Sequence, residues 1–241
     1  MEFNIFDIYV DASINLEQKL GCSGMVLVDR KRDQIVDTRY LVKPNTTNNM
    51  CEIIAIWMGI YRAIELLYFE MLPFHVNIFS DSQISLFGMR EWLTSWIRKR
   101  NGNTLINSSG AVSNQIWYED AYHAIINSGI KIKFFHQKGH VDENRQVSLF
   151  AAEKTFRTSN GITPHMAGTS PAILAKYNNF VDTTSRDIIV GLLSGKNITE
   201  FPGTRYMLEI PLRYDFIDSD IQRYESLIHG GLNYPFGGIQ K

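Results

Sequence analysis

The stretch NIFDIYVDAS at residues 4–13 determines how the rest of the chain is interpreted. Its alternation and its content of Ile, Phe, Tyr and Val predict a strand over Asn4–Val10, which Asp11 is expected to end. Gly24–Val28 and Ile35–Val42 are predicted as further strands. Because the connections between these strands are short, we expect two antiparallel hairpins, and so a meander of three strands.

The pattern then changes to helical spacing. Apolar residues recur along one face over Glu52–Leu67, and further helices are predicted from about Ile84 to Arg98 and from about Asn114 to Ile126. His75–Phe79 and Ile130–Phe135 predict short strands of the buried kind found in parallel sheets. The order of elements predicts an α/β fold. We expect a mixed five-stranded sheet, with three antiparallel strands and then parallel strands, flanked by helices.

Composition excludes several classes of protein. The chain has 241 residues, 44% of them hydrophobic, and a net charge of −1, which excludes a wholly disordered chain. No apolar run approaches the roughly 20 residues that span a bilayer, and the acidic start is unlike a signal peptide. The cysteines Cys22 and Cys51 are too few for a disulfide scaffold and lack zinc-finger spacing. We therefore expect a cytoplasmic protein, monomeric by default, that binds polyanions only through a local basic patch.

Three acids are candidates for a common site. Asp11 and Asp81 follow predicted strands, and Glu52 opens the first long helix. Sites in open α/β sheets form beyond the carboxyl ends of the strands, so these acids are expected at one edge of the sheet. The alternative for each acid alone is a turn former or a helix-start acid favoured by the helix dipole.

Six segments of the chain occur in the order in which a known family has them. They are YVDAS around Asp11, TTNNMCE before Glu52, SDSQ at 80–83, the helix with Trp92, Trp96 and the basic Arg98–Arg100, the helix Val112–Ile125, and KFFHQKGH at 133–140. On these segments the chain resembles ribonuclease H of type 1 over most of residues 4–193. It departs from the family at Ala12, where the family motif D-G-S has glycine. The resemblance implies a ribonuclease H-like fold.

The family uses four acids, and the fourth has two candidate positions. Directly after the Gly-His pair, Asn144 starts the expected motif, but its acid position is Ser148. Farther on, Asn178, Asp182 and Arg186 fit the same motif with the acid in place. The resemblance therefore favours Asp182, and the alternative is that Asp182 is only a helix-start acid.

This choice defines the predicted domain organisation. Residues 1–193 are expected to form the catalytic domain, with 141–177 as an insertion and 194–241 as a C-terminal extension packed on it. Helices are predicted at Asn144–Arg157 and at Asn178–Leu193.

The resemblance implies a two-metal phosphodiesterase. Two Mg²⁺ ions about 4 Å apart activate a water and stabilise the leaving oxygen, with Mn²⁺ as a possible substitute. By resemblance Asp11 bridges both ions, Asp182 holds the ion on the water side, and Glu52 and Asp81 hold the ion on the leaving 3′-oxygen side. By the same resemblance His140 takes a proton or assists product release, and the alternative is a solvated loop histidine. The implied activity is endonucleolytic cleavage of the RNA strand of RNA/DNA hybrids, giving 5′-phosphate and 3′-hydroxyl ends.

The resemblance also implies how the hybrid is bound. Amide side chains suit contacts with groove edges and 2′-hydroxyls, while basic and aromatic side chains suit phosphates and sugars. The implied nucleic-acid-binding residues are Asn48, Asn49, Gln83, Trp92, Trp96, Arg98, Lys99 and Arg100. Two alternatives stay open. One is a catalytically inactive hybrid-binding module, which is expected if Ser148 holds the fourth position, and the other is a transposase, integrase or exonuclease on the same fold.

Overall fold

The computed structural model describes residues 2–139, 145, 168–207 and 216–235. The predicted helix Asn144–Arg157, His140 and Ser148 therefore lie outside the described residues, apart from Arg145.

The centre of the fold is a mixed sheet of six strands in the order β7-β4-β1-β2-β3-β8. The strands of the described residues are β1 (Asn4–Asn15), β2 (Leu20–Asp29), β3 (Gln34–Pro44), β4 (Phe74–Ser80), β5 (Ile106–Asn107), β6 (Gly110–Ala111), β7 (Ile132–His136) and β8 (Thr204–Tyr206). The strands β1, β2 and β3 form the antiparallel meander, and β4 and β7 continue it in parallel. The predicted α/β fold with a mixed sheet is confirmed.

Helices cover both faces of this sheet. They are α1 (Asn48–Phe69), α2 (Gln83–Phe87), α3 (Leu93–Arg98), α4 (Gln115–Ser128), α5 (Pro171–Leu193) and α6 (Asp220–Ile228), with a π-helical turn at Gly88–Trp92 and a 3₁₀ turn at Ile198–Glu200. Helix α1 packs on one face, together with α4, and α5 packs across β1 and β2. None of the helices within the described residues is both long and apolar enough to cross a lipid bilayer.

Alternation along β1 explains the two layers of core. Ile8 and Val10 face the large core under α1, whereas Tyr9 faces the smaller core under α5 and stacks on Phe79. Both faces of β1 are therefore buried, which is typical of a central strand with helices on either side.

The prediction of five strands was wrong by one. The sixth strand, β8, pairs in parallel with β3 through Tyr40–Val42 and lies within residues 194–241. Three residues between Gly/Pro turns are too short to show a period, so the sequence carried no detectable signal for this strand.

The prediction that Asp11 ends its strand was also wrong. Strand β1 runs on to Asn15, because its hairpin with β2 continues past Asp11, which pairs with Gly24. The parallel pairing of β1 with β4, in contrast, stops at Val10 opposite Ser80. Asp11 thus lies inside a strand and just beyond the end of the parallel ladder.

Two helices begin earlier than predicted because of their caps. Helix α1 begins at Asn48, where Thr47 Oγ1 accepts a hydrogen bond from the Met50 amide at 3.3 Å. Helix α5 begins at Pro171, where Ser170 Oγ accepts from the Ile173 amide at 3.2 Å. In both helices the Ser or Thr cap, and not the first residue of the apolar pattern, marks where the helix begins. In α5 a proline in the first turn adds to this signal.

We predict that Asp7→Ala destabilises the fold strongly. Asp7 is 1% exposed, and its carboxylate accepts from Arg30 Nε at 2.6 Å and from Asn77 Nδ2 at 2.8 Å. Removing one partner of a buried ion pair costs about 3–5 kcal/mol, which denaturant unfolding measures as a loss in the free energy of unfolding. The matched control is Glu2→Gln, which breaks an exposed pair with Lys31 and should leave the unfolding midpoint unchanged. Equal midpoints for the two variants would contradict this account.

Candidate active site

Three predicted acids meet at one edge of the sheet. One carboxylate oxygen from each of Asp11, Glu52 and Asp81 lies within 4.8 Å of the others. The register explains the first pair, because Asp11 and Asp81 each follow the last pair of the parallel ladder, Val10 and Ser80. Glu52 reaches the same point from the second turn of α1.

Helix α1 is fixed to the sheet beside this cluster. Ser23 Oγ on β2 donates a hydrogen bond to the Cys51 carbonyl at 2.7 Å, one residue before Glu52. A Cβ on Gly21 would overlap Cys51 Sγ, so the glycine allows the close approach of α1 to β2. The position of Glu52 therefore depends on two small residues of β2.

Burial and mutual repulsion make the cluster hold protons. Burial, and then the charges of Asp81 and Asp182, raise the pKa of Asp11 to about 8, although the Ala12 amide and Arg186 oppose the rise. Burial, with the charges of Asp11, Asp81 and Asp182, also raises the pKa of Glu52 well above its ordinary value. Without a cation, both carboxyls therefore keep their protons to a higher pH than ordinary carboxyls do.

The cluster suits a hard divalent cation. Asp11 Oδ1 accepts from the Ala12 amide at 2.7 Å, but Asp11 Oδ2 and Glu52 Oε2 are buried and have no hydrogen-bond partner among the described residues. Buried, unpartnered carboxylate oxygens are costly unless a ligand satisfies them. Carboxylate oxygens are also the ligands that Mg²⁺ and Mn²⁺ prefer, so the residues present fit the ions that the resemblance implies.

Asp182 lies next to the three acids on α5. Its carboxylate is largely buried and forms a two-pronged ion pair with Arg186, one turn on, at 2.8 and 3.1 Å. Its charge acts on both Asp11 and Glu52. Asp182 is not part of the group of three whose oxygens lie within 4.8 Å of one another.

The loop after β7 closes the site from another side. The Gln137 amide donates to the Ser80 carbonyl at 3.0 Å, and the Gln137 side chain donates to Asn178, one turn before Asp182. A Cβ on Gly139 would overlap Asp81 Oδ2, so this loop lies directly against the Asp81 carboxylate. Reasoning from the sequence missed Gln137, because a lone glutamine in a strand-end segment gives no signal of its partner.

The predicted substrate residues lie at different distances from this cluster. Asn48 and Asn49 are exposed in the first turn of α1, and Asn48 hydrogen-bonds Glu52. Gln83, also exposed, begins α2 two residues after Asp81.

The two tryptophans and the basic residues lie farther along the same helical segment. Trp92 is 38% exposed, and Trp96 is partly buried, edge-on to Tyr118. Arg98 and Lys99 are exposed. Arg98 pairs with Glu225 at 3.1 Å, and Arg100 pairs with Asp218 at 2.8 Å.

The fold and the family follow from these features. An antiparallel meander continued by parallel strands, with acids at the carboxyl end of the parallel ladder, defines the ribonuclease H-like class of α/β folds. The family model described as RNase H matches residues 4–155, more than half of the chain. The chain belongs to the RNase H family.

Individual relatives match part of the chain. A protein named Ribonuclease H from Legionella pneumophila (strain Lens) is 33% identical over 96 residues, which are 40% of this chain and 59% of that protein. Ribonuclease H from Campylobacter jejuni (strain RM1221) is 31% identical over 115 residues, 47% of this chain and 67% of that protein. Among solved structures, LC9-RNase H1, described as a type 1 RNase H with the type 2 active-site motif, has a TM-score of 0.44 at 20% identity, covering 71% of this chain and 84% of that chain.

We predict that the metal-free protein loses stability as the pH rises. The pKa of Asp11 is about 8 in the folded chain, against an ordinary value of 3.8, so the stability that its proton contributes at low pH is lost as the pH rises through about 8. In EDTA the thermal midpoint should therefore fall between about pH 5.5 and 9, and saturating Mg²⁺ should offset the fall by binding the ionised acids. Asp11→Asn should flatten the curve in EDTA. A midpoint in EDTA that does not change with pH in the parent chain would contradict the raised pKa.

We predict that Gly139→Ala weakens cation binding. The added methyl overlaps Asp81 Oδ2, so either the carboxylate or the loop must move, and losses of this kind reach about 10-fold in metal affinity. Calorimetric titration with Mn²⁺ measures the change in affinity. The matched control is Gly102→Ala, where a Cβ meets nothing within 4 Å, although its φ of +56° adds local backbone strain. Equal Mn²⁺ affinities for the two variants would show that Gly139 does not position Asp81.

Proposed function

We propose that this chain is a ribonuclease H that cleaves the RNA strand of RNA/DNA hybrids by metal-dependent hydrolysis, giving 5′-phosphate and 3′-hydroxyl ends. The observation that carries the proposal is the convergence of Asp11, Glu52 and Asp81 within 4.8 Å at the end of the parallel ladder. Membership of the RNase H family supports the same reaction.

The proposed cofactor is a pair of Mg²⁺ ions, with Mn²⁺ as a substitute. Asp11, Glu52, Asp81 and Asp182 would hold them, and the ions supply a water of lowered pKa and charge stabilisation for the leaving oxygen. The chain itself holds the acids in place through β1, α1, β4 and α5. His140 is proposed to accept a proton or assist product release, as the resemblance implies.

The assignment of Asp182 as the fourth acid is supported by the packing of α5. This helix lies across β1 and β2, and it places the Asp182 carboxylate where its charge acts on Asp11 and Glu52. The ion pair with Arg186 keeps that carboxylate at the site in the absence of a cation.

The proposed substrate contacts start at the cluster and continue along the helical segment after β4. Asn48, Asn49 and Gln83 are exposed beside the acids, at positions suited to sugar and groove-edge contacts. Trp92 offers an exposed ring for the DNA strand, with Trp96 beside it at 5.9 Å between ring centroids. Most of these contacts would be independent of base sequence.

We also propose that the protein is cytoplasmic and monomeric, as expected from its sequence. Cys22 and Cys51 are both free and buried, as expected for a protein in a reducing compartment.

One observation favours a second candidate, a catalytically inactive hybrid-binding module. The family match ends at residue 155, so it includes Ser148 and stops before Asp182. If Ser148 occupies the position of the fourth acid, the site has one carboxylate fewer. Hybrid binding without cleavage would then be the result.

Cleavage of a labelled RNA/DNA hybrid in Mg²⁺ tests both candidates. We expect the parent chain to cut the RNA strand, and Asp182→Asn to lower the rate by about 10²-fold or more through loss of a charge-stabilising group. Asp187→Asn, an exposed acid on the same helix, is the matched control and should keep the parent rate, as should Ser148→Ala. Hybrid binding without cleavage by the parent chain, in Mg²⁺ and in Mn²⁺, would establish the inactive module instead.

A further inference from the structure

The basic residues Arg98, Lys99 and Arg100 are contacted by a distant part of the chain. We call residues 216–228, which include α6, the acidic segment. It carries Asp218, Asp220 and Glu225 against a single Arg223, so its net charge is −2, from three acids and one base. The three basic residues carry +3, and the two surfaces are therefore complementary in charge.

Both arginines make polar contacts with the acidic segment. Arg98 Nη2 lies 3.1 Å from Glu225 Oε1, and Arg100 Nη1 lies 2.8 Å from Asp218 Oδ1. Arg100 also donates to the carbonyl oxygens of Ile97 at 2.9 Å and Phe216 at 3.5 Å. The guanidinium groups expected to contact phosphates are thus already paired with carboxylates.

The acidic segment is held in place by apolar packing rather than by these ion pairs. Tyr224 is fully buried, and its hydroxyl donates to the Met89 carbonyl at 2.7 Å. Ile221, Leu227 and Ile228 are buried in the same core as α4 and β7. Asp218, in contrast, has a side chain that is 76% exposed. Neutralising the acids should therefore leave the segment where it is.

We propose that Asp218 and Glu225 compete with nucleic-acid phosphates for Arg98 and Arg100, and so set the affinity of this chain for its polyanionic ligand. The proposal rests on the proposed function for its ligand, an RNA/DNA hybrid. Exposed ion pairs are weak and screened by salt, so a polyanion can displace the carboxylates. The competition costs affinity, because each arginine has to give up a carboxylate before it neutralises a phosphate.

The test is the double variant Asp218→Asn, Glu225→Gln. Hybrid binding at several salt concentrations, with Ca²⁺ in place of Mg²⁺ to prevent cleavage, should show an affinity about 3- to 10-fold higher than in the parent chain. The slope of log affinity against log salt should steepen by up to about 1 to 2 units, because the two arginines contact phosphates more fully when no carboxylate has to be displaced first. Elution from heparin should move to higher salt in parallel.

The matched control is Glu2→Gln with Asp33→Asn. It removes the same charge and breaks two exposed ion pairs, with Lys31 at 2.9 Å and with Lys176 at 3.0 Å. These residues lie at the opposite end of the sheet from the acidic cluster, near the start of β1 and in the turn between β2 and β3. An equal gain in the control would overturn the proposal, because the gain would then come from net charge alone.

A second arm separates competition from a local field effect. In a chain that already carries Arg98→Gln and Arg100→Gln, adding Asp218→Asn and Glu225→Gln should leave the affinity unchanged, and a gain in that background would overturn the proposal. Failure of the proposed function would give a different result from failure of the proposed competition. A shift in heparin elution without any hybrid binding would reject the hybrid as ligand and leave the competition in place, whereas hybrid cleavage without either shift would reject the competition.

Discussion

The structure depends on where the parallel ladder between β1 and β4 stops. Val10 pairs with Ser80, and the next residue of each strand is an aspartate, so the two carboxylates meet where the ladder ends. Helix α1 adds Glu52 because small residues of β2 let it approach closely. A buried cluster of like charges is unfavourable in isolation, and the raised pKa values of Asp11 and Glu52 express that cost. Carboxyl groups with pKa values perturbed in this way cluster at functional sites.

The two helical layers each hold part of the acidic site at this edge of the sheet. The layer of α1 and α4 contains most of the apolar core, which fixes the sheet and Glu52. The layer of α5 contains the smaller core around Tyr9 and Phe79, and it carries Asp182 and the hydrogen bond from Gln137 to Asn178. The site is therefore assembled from both faces of the sheet, and its geometry depends on the packing of each layer.

The parts of the site that the sequence predicted are those with local signals. Periodicity placed Asp81 directly after β4, as the structure has it. It placed Glu52 at the start of α1, although that helix begins four residues earlier, at Asn48. The prediction that Asp11 ends its strand was wrong, because the length of a hairpin is set by its partner strand β2. The pairing of Arg98 with Glu225 joins residues 127 positions apart in sequence, and no local pattern predicts such a contact. Strand β8 was not predicted for a related reason. Its three residues are extended only because they pair with β3, which is distant in sequence.

Contacts that residues 194–241 make with the sheet affect how the folded chain behaves in concentrated solution. At one edge of the sheet β8 covers Tyr40–Val42 of β3, and at the other Lys133 of β7 forms a bridge with His229. Exposed strand edges present free amides and carbonyls that pair with other chains and lead to aggregation. The same residues thus cover part of β3 and part of β7, which would otherwise be the two edge strands of the sheet, against intermolecular strand pairing.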